Sequence, residues 1–132
     1  MRKEWSNKWI SSKQPRKQRK YVYNAPLHVK HKLVSAHLSK NLREQYGVRS
    51  LPVRKGDEVE VMKGSSKKMR GTVSRVDIKE GKVYIEGITR KKVDGTEIMK
   101  PIRPSNLKII RLNLDDKKRV LSLNRKRRVN NA

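Results

Sequence analysis

The clearest pattern in the chain is an alternation of apolar and polar residues over residues 53–112, with the two-residue period of β-strands. Val59 and Val61 alternate with Glu58 and Glu60, which predicts a half-buried strand. Four more strands are predicted in this segment: from Gly71 to about Ile78, over Val83–Glu86, around Ile98, and over Leu107–Leu112. Five short antiparallel strands in about 60 residues must curl to bury their Val and Ile side chains, so we expect a small barrel.

Turn residues separate these strands. Lys79–Lys82 predicts a hairpin turn, and the Asp94-Gly95 pair predicts a second hairpin with a type I′ turn. Gly87 is predicted at a bulge or bend, and Pro101 and Pro104 are expected to interrupt strand pairing. A domain of this size buries only about 60% of its unfolded surface, so we expect it to be marginal until a partner completes it.

Helical spacing flanks the strands. Residues 24–36 and 39–46 predict two short helices, the second with Ser39 as N-cap and Gly47 as the C-terminal glycine. Residues 1–20 have no period, and their basic run carries no apolar side chain, so in isolation we expect disorder. The segment from Asp115 onward has weak helical spacing.

These patterns divide the chain into four segments. They are an N-terminal arm (residues 1–23), a helical extension (24–52), a barrel (53–112) and a basic C-terminal tail (113–132). The net charge also varies along the chain. Residues 1–52 carry a net charge of +11 and residues 111–132 carry +6, whereas most acidic residues lie between them.

Composition points to a polyanionic partner. Lys and Arg number 36 against 12 Asp and Glu, so the net charge is +24, and only 33% of the residues are hydrophobic. A chain with this charge attracts nucleic acid. A membrane surface is a weaker alternative, because the basic stretches lack a continuous apolar face. Met1 is followed by Arg2, Lys3 and Glu4, so we expect no signal peptide and no membrane insertion.

Catalytic and metal chemistry find little support. There is no Cys, which excludes thiolate sites and disulfides. His28 and His31 are three residues apart on a predicted helix, but no carboxylate completes a metal site. Asp115 and Asp116 are adjacent and do not converge on a substrate. We therefore predict no enzyme, no cofactor, no metal and no small-molecule substrate.

One motif is specific. The stretch from Lys55 to Gly64, followed by Gly71-Thr72-Val73, matches the KOW pattern of a strand, a basic loop and a second strand. Gly56, Gly64 and Gly71 are the structural turn residues of the motif, since glycine allows tight backbone turns at strand ends. The loop between the strands presents Lys63, Lys67, Lys68 and Arg70, which we expect to meet phosphates. Edge lysines that merely prevent aggregation are the alternative.

Several stretches resemble one ribosomal family. They are Lys13–Lys20, Asn24–His28, Leu38-Ser39, Arg49–Asp57, Asp94–Thr96 and Pro101–Asn106. The resemblance covers roughly residues 12–118. The family is the KOW-type protein of the large ribosomal subunit, numbered twenty-four in archaea and bacteria and twenty-six in eukaryotes. The N-terminal extension is similar to archaeal or eukaryotic members. Family members commonly have a bulky residue and a glycine where this chain has Ser66 and Lys68, and a histidine in place of Arg103.

The resemblance implies an SH3-like (KOW) barrel and a structural, non-enzymatic protein of the cytoplasmic ribosome. It further implies binding to large-subunit ribosomal RNA near the RNA's 5′ region early in assembly, a place near the nascent-chain exit, and contacts with neighbouring ribosomal proteins and with factors that dock at the exit tunnel. The predicted RNA-binding residues are Lys13, Arg16, Lys17, Arg19, Lys20, Tyr23, His28, Lys30, Arg49, Arg54, Lys55, Lys63, Lys67, Lys68, Arg70, Arg103 and Ser105.

Alternatives stay open for several features. Arg16–Lys20 is also typical of a nuclear address or of solvated charge, and Arg125–Arg128 of a terminal tail without fixed contacts. Tyr21 and Tyr23 either stack on bases or pack against the barrel, and Trp5 and Trp9 have the spacing of one helix face. A KOW transcription elongation factor and a general nucleic-acid-coating protein are the rival functions, although the chain is too short for the extra domain of the former.

Overall fold

The computed structural model describes residues 5–131, and of residues 127–131 it describes the backbone alone. In order, the elements of this part are α1 (Pro15–Asn24), α2 (Leu27–Leu33), β1 (Ser35–Leu38), α3 (Lys40–Tyr46), β2 (Ser50–Pro52), β3 (Glu58–Val61), β4 (Arg70–Asp77), β5 (Lys82–Ile85), β6 (Thr89–Lys91), β7 (Glu97–Met99), a 3-10 turn (Pro104–Asn106), β8 (Leu107–Arg111) and α4 (Lys117–Asn131). A β-sheet forms the centre of the fold.

The main sheet has six strands in the order β2-β1-β8-β3-β4-β5. Its neighbours are antiparallel except for β1 and β8, which are parallel, with His37 opposite Lys108. The prediction of an entirely antiparallel five-stranded sheet is wrong in this respect. The helical extension contributes two strands, β1 and β2, and β1 pairs with β8 in the parallel direction.

The first predicted helix is too long. Helix α2 ends at Leu33, and Ser35 and Ala36 belong to β1. The physical reason is the period-two burial of Val34, Ala36 and Leu38, each at most 2% exposed. Side chains that alternate in this way fill a sheet face better than a helix face. Residues 39–46 form the predicted helix, with Leu42 N–H donating to Ser39 Oγ and Gly47 at φ 67°.

The strand pair of the KOW motif forms as predicted. β3 lies between β4 and β8, with Val59 opposite Gly71 and Ile109. Val59, Val61 and Ile109 point into the core and are at most 2% exposed. The alternation of Val and Glu in β3 thus separates a buried face from a polar face, as the sequence indicates.

The hairpin predicted at Asp94-Gly95 forms between β6 and β7, but its turn type differs from the prediction. The Gly95 N–H donates to the Lys92 carbonyl at 3.0 Å, and the Lys92 N–H donates to Thr96 at 2.8 Å. Gly95 has φ 91°, whereas Asp94 keeps a negative φ. A type I′ turn requires positive φ at both central residues, so the predicted turn type is wrong; these bonds indicate a three-residue loop with a glycine bulge.

Beyond β7, Pro104 begins the 3-10 turn. Between the two prolines Ile102 still bridges to Val83 of β5, so the interruption of pairing predicted at Pro101 and Pro104 is incomplete.

The core takes one side chain from the C-terminal tail. Leu123 of α4 is 1% exposed and belongs to the same apolar cluster as the strand residues. Leu42 and Tyr46 of α3 pack against that cluster. The tail from Lys117 onward is therefore a helix whose first half packs on the domain, and the side chains of Arg127 and Arg128 lie outside the described ones.

The N-terminal arm contains a helix that its sequence pattern does not predict. Residues 15–24 form α1, which the composition did not indicate and which buries none of its side chains. Trp5 and Trp9 do not share a helix; their rings each lie about 5 Å from that of Tyr21, at 5.2 and 4.9 Å. Tyr21 thus packs on tryptophans rather than on the sheet. No helix in the described residues is long and apolar enough to cross a membrane.

Candidate nucleic-acid interface

The loop between β3 and β4, residues 63–70, is closed by backbone hydrogen bonds. The Lys68 N–H donates to the Val61 carbonyl at 2.8 Å, and the Val61 N–H donates to Met69 at 2.9 Å. These bonds extend the strand pairing into the loop. The lysine side chains of the loop, Lys63, Lys67 and Lys68, are exposed together with Arg70 at its end. The loop is thus a compact, cationic projection at one end of the β3–β4 strand pair.

Two residues of the loop have left-handed backbone. Gly64 has φ 99° and Lys68 has φ 72°, a region that favours glycine. At the position of Lys68, members of the family that this sequence resembles commonly have glycine. The backbone shape that glycine serves is retained here, at the cost of placing a side chain on strained backbone. What the substitution adds is one more positive charge.

The segment just before β8 lies at the same end of the β3–β4 strand pair. The Met62 N–H donates to the Asn106 carbonyl at 2.7 Å, which places the 3-10 turn beside the start of the loop. Lys100 donates to the Ser65 and Ser66 hydroxyls, the latter at 3.4 Å. Lys100 is absent from the predicted RNA-binding residues, because nothing in its local pattern indicates that it reaches a loop 35 residues earlier.

Two of the predicted RNA-binding arginines already have acidic partners. Arg70 lies 3.5 Å from Glu60, which also pairs with Lys108 at 3.4 Å. Arg54 forms an ion pair with Asp116. The Arg54 guanidinium is the main cause, and the Lys118 N–H the next, of the lowered pKa of the Asp116 carboxyl. These arginines contribute less free charge than the loop lysines.

A second basic feature is a cleft of about 870 Å³ between α1, α2, the β4–β5 turn and the 3-10 turn. Five predicted RNA-binding residues line it: Arg19, Tyr23, Lys30, Arg103 and Ser105. Lys79 and Lys82 line it too, although neither is among the predicted RNA-binding residues. These residues come from four separate stretches of chain, so only the fold brings them together.

The other predicted RNA-binding residues are spread over the surface. They are Lys13, Arg16, Lys17, Lys20, His28, Arg49 and Lys55, all of them exposed. Across the described residues no group of three or more His, Cys, Asp or Glu side chains is placed to hold a metal ion.

Two glycines of the motif are required for different physical reasons. Gly56 has φ 92° in the turn before β3. Gly71 lies inside β4 rather than at a turn, which differs from the prediction. An added Cβ there would lie 2.6 Å from Ile85 Cγ2 and 2.7 Å from the Glu86 carbonyl oxygen. Close approach of β5, and not a turn, requires glycine at Gly71.

A buried ion pair fixes α4 to the motif. Arg119 donates to both carboxylate oxygens of Asp57, at 2.7 and 2.8 Å, and the two side chains are 4% and 0% exposed. Arg119 also donates to the Pro52 and Asn113 carbonyls, at 3.1 and 2.9 Å. The sequence pattern does not indicate this pair, because its partners are 62 residues apart and both occur in polar stretches.

Comparison with known proteins identifies the family. Residues 12–126 match the family described as ribosomal proteins L26 in eukaryotes and L24 in archaea. The chain belongs to this family. It is also 49% identical to the large ribosomal subunit protein uL24 of Methanosphaera stadtmanae, over 115 residues that cover 87% of this chain and 98% of the relative. Membership confirms the resemblance noted in the sequence, and it makes the chain a ribosomal protein rather than an enzyme.

Proposed function

We propose that this protein is a structural constituent of the large subunit of the cytoplasmic ribosome and binds large-subunit ribosomal RNA. It supports early subunit assembly and lies near the nascent-chain exit, beside neighbouring ribosomal proteins and in reach of factors that dock there. The observation that carries the proposal is the grouping of cations on one loop and one cleft of a chain from a ribosomal family.

The mechanism rests on charge and shape. Lys63, Lys67 and Lys68 form no ion pair with any described residue, so their charge is available to displace counterions condensed on the RNA. Such contacts give affinity with little sequence information. Selectivity comes from matching the folded shape of one RNA site, as is usual for structured RNA. The rigid loop closure described above keeps these lysines in a defined arrangement.

Helix α1 is expected to become stable on the RNA. Its first turn contains Arg16 and Lys17 but no acidic residue, its N-cap makes no side-chain hydrogen bond, and none of its residues is buried. Cations at the positive end of a helix dipole oppose helix formation. Phosphates along this face remove the repulsion, so RNA binding and ordering of the N-terminal arm occur together.

We also propose that residues 53–112 form a KOW-type, SH3-like barrel, with the arm, the extension and the tail as separate segments around it. The bridge between Val83 of β5 and Ile102 supports this, because the chain runs from Ile102 through the 3-10 turn into β8. Strand β5 at the edge of the sheet thus connects back toward its middle. Strand β1 of the extension covers the other side of β8.

The test is to crosslink the protein in cell extract, digest, and sequence the attached nucleic acid, both RNA and DNA. We expect one locus of large-subunit ribosomal RNA. Recovery of messenger RNA or genomic DNA would instead indicate the elongation-factor or coating alternative and overturn the proposal.

Deletion of residues 1–20 tests the arm separately. We expect a lower yield of large subunits in sucrose-gradient profiles. An unchanged yield would contradict an essential arm.

A further inference from the structure

The cleft described above combines an apolar floor with a cationic rim. Val22, Leu33 and Ile78 contribute the apolar side chains, and Val22 and Leu33 are each 46% exposed. The rim carries Arg19, Lys79 and Arg103, together with Lys30 and Lys82. Glu80 is the acidic residue among the lining side chains. The volume of about 870 Å³ is within the usual range for ligand sites.

The rim cations are free of ion pairs within the described part of the chain. Elsewhere, Arg54, Arg75 and Arg119 each pair with an aspartate, and Arg70 pairs with Glu60. None of these ion-paired acidic residues lines the cleft, although Asp77 directly precedes the lining residue Ile78. Five rim cations against one acidic residue, around an apolar floor, favour a ligand with negative charge at its edges and an apolar face at its centre.

Tyr23 supplies the aromatic group at this site. It is 69% exposed, whereas the other three tyrosines are at least partly covered. Tyr21 packs on two tryptophans, Tyr84 lies under Arg75 with 4.4 Å from the guanidinium carbon to the ring centroid, and Tyr46 packs against the core. Tyr23 therefore presents a ring surface that the described fold does not use.

We propose that this cleft holds one or two consecutive unpaired nucleotides of the RNA. One base stacks on Tyr23 above the apolar floor, and the adjoining phosphates lie against Arg19 and Arg103. A base that stacks on Tyr23 covers both the ring and the apolar floor, while its phosphates contact the cationic rim. A paired duplex has its bases inside and offers no base face to the ring. An acidic peptide matches the rim alone. The inference rests on the proposed function and adds to it the kind of RNA element that the protein recognises.

The test uses the full-length protein with large-subunit ribosomal RNA, comparing wild type with Tyr23→Ala, Tyr23→Phe and Arg103→Gln. Chemical probing should show an unpaired nucleotide that wild type protects and Tyr23→Ala does not. We expect Tyr23→Ala to weaken binding by about 5- to 150-fold, the range for loss of one stacked base, with an unchanged salt slope. Tyr23→Phe keeps the ring and should bind within about twofold of wild type. Arg103→Gln should reduce the salt slope by about one phosphate contact.

Lys92→Gln, on the exposed β6–β7 loop, is the matched charge control and should leave the protection in place. Tyr23 and Arg103 are exposed, so their variants should fold, which circular dichroism checks. If wild type binds ribosomal RNA but Tyr23→Ala and Arg103→Gln bind and protect equally well, the inference is wrong and the proposed function stands. If wild type itself fails to bind, the proposed function fails first. If the variants bind RNA normally but lose a neighbouring protein from reconstituted subunits, the cleft holds a peptide, which also overturns the inference.

Discussion

At the residue scale, the pairing of Asp57 with Arg119 links the turn of the motif to α4. Both side chains are buried and doubly hydrogen-bonded, and Asp57 also accepts from the Arg54 and Asn113 N–H groups at 3.0 and 2.8 Å. Replacing a buried pair with apolar groups is often tolerated, but removing one partner leaves a buried charge unpaired. The pair therefore makes each of its two residues sensitive to substitution.

We predict that Arg119→Met lowers the free energy of unfolding by about 3–5 kcal/mol, since the Asp57 charge loses its main partner. Arg54→Gln is the control: its ion pair is solvent-exposed, and its loss should cost about 0–1 kcal/mol. Urea denaturation of both variants measures the difference. If Arg119→Met does not fold, Arg119→Lys, which keeps the charge but not the two-pronged contact, should be intermediate. Equal stability of the Met and Gln variants would contradict the argument.

Lys68 has a cost and a benefit at the same position. Its φ of 72° costs about 1–2 kcal/mol relative to a glycine, which adopts this region freely. We predict that Lys68→Gly leaves stability unchanged or raises it by up to about 1 kcal/mol, because greater freedom of the unfolded chain offsets part of the relief. Affinity for ribosomal RNA should fall, with a smaller salt slope. Calorimetry and filter binding measure the two effects, and a clear loss of stability would show that the lysine side chain packs usefully.

At the element scale, α4 is the clearest case of a segment whose role depends on the rest of the chain. Its sequence is strongly basic and its apolar spacing is weak, which is typical of a tail. Yet it puts Leu123 into the core and Arg119 into the buried pair, while Leu121 is 60% exposed. Two anchors on one helix are enough to dock it.

We predict that Leu123→Ala destabilises the protein by about 2–5 kcal/mol, as expected for a buried leucine. Leu121→Ala, two residues earlier on the same helix, should change stability by no more than about 0.5 kcal/mol. The pair shares helix propensity and composition, so their difference in thermal unfolding reports burial alone. Equal effects would mean that α4 does not pack on the domain in solution.

Helix α1 is the opposite case, because it buries nothing and its first turn is cationic. Hydrogen exchange of the whole protein should show fast exchange for the amides of residues 15–24 without RNA and protection once ribosomal RNA is bound. The amides of β3 and β4 serve as the internal control and should be protected in both states. Protection of residues 15–24 in the free protein would contradict coupling between RNA binding and helix formation.

At the scale of the whole molecule, net charge dominates. With +24 on 132 residues, binding should be electrostatic and strongly salt-dependent. If about 6–10 phosphates are contacted, affinity for large-subunit ribosomal RNA should fall roughly 10³- to 10⁵-fold between 50 and 200 mM salt. A salt titration with duplex DNA as competitor measures this and the selectivity together. Affinity that is indifferent to salt, or equal for DNA and ribosomal RNA, would contradict shape-selective binding.

Local sequence pattern is enough to predict the central strands and α3 with both of its ends, and summed charge is enough to predict a polyanionic partner. Those features depend on local spacing, on capping residues such as Ser39 and on summed charge, all of which a linear pattern contains. The contacts of the folded chain are needed to show that Ser35 and Ala36 extend the sheet, that Arg119 meets Asp57, and that the cleft gathers cations from four stretches. These features arise from contacts between residues far apart in sequence. The unpaired edges of strands and buried charges are satisfied by whichever segment the fold brings near. Local sequence preference does not encode which segment that is.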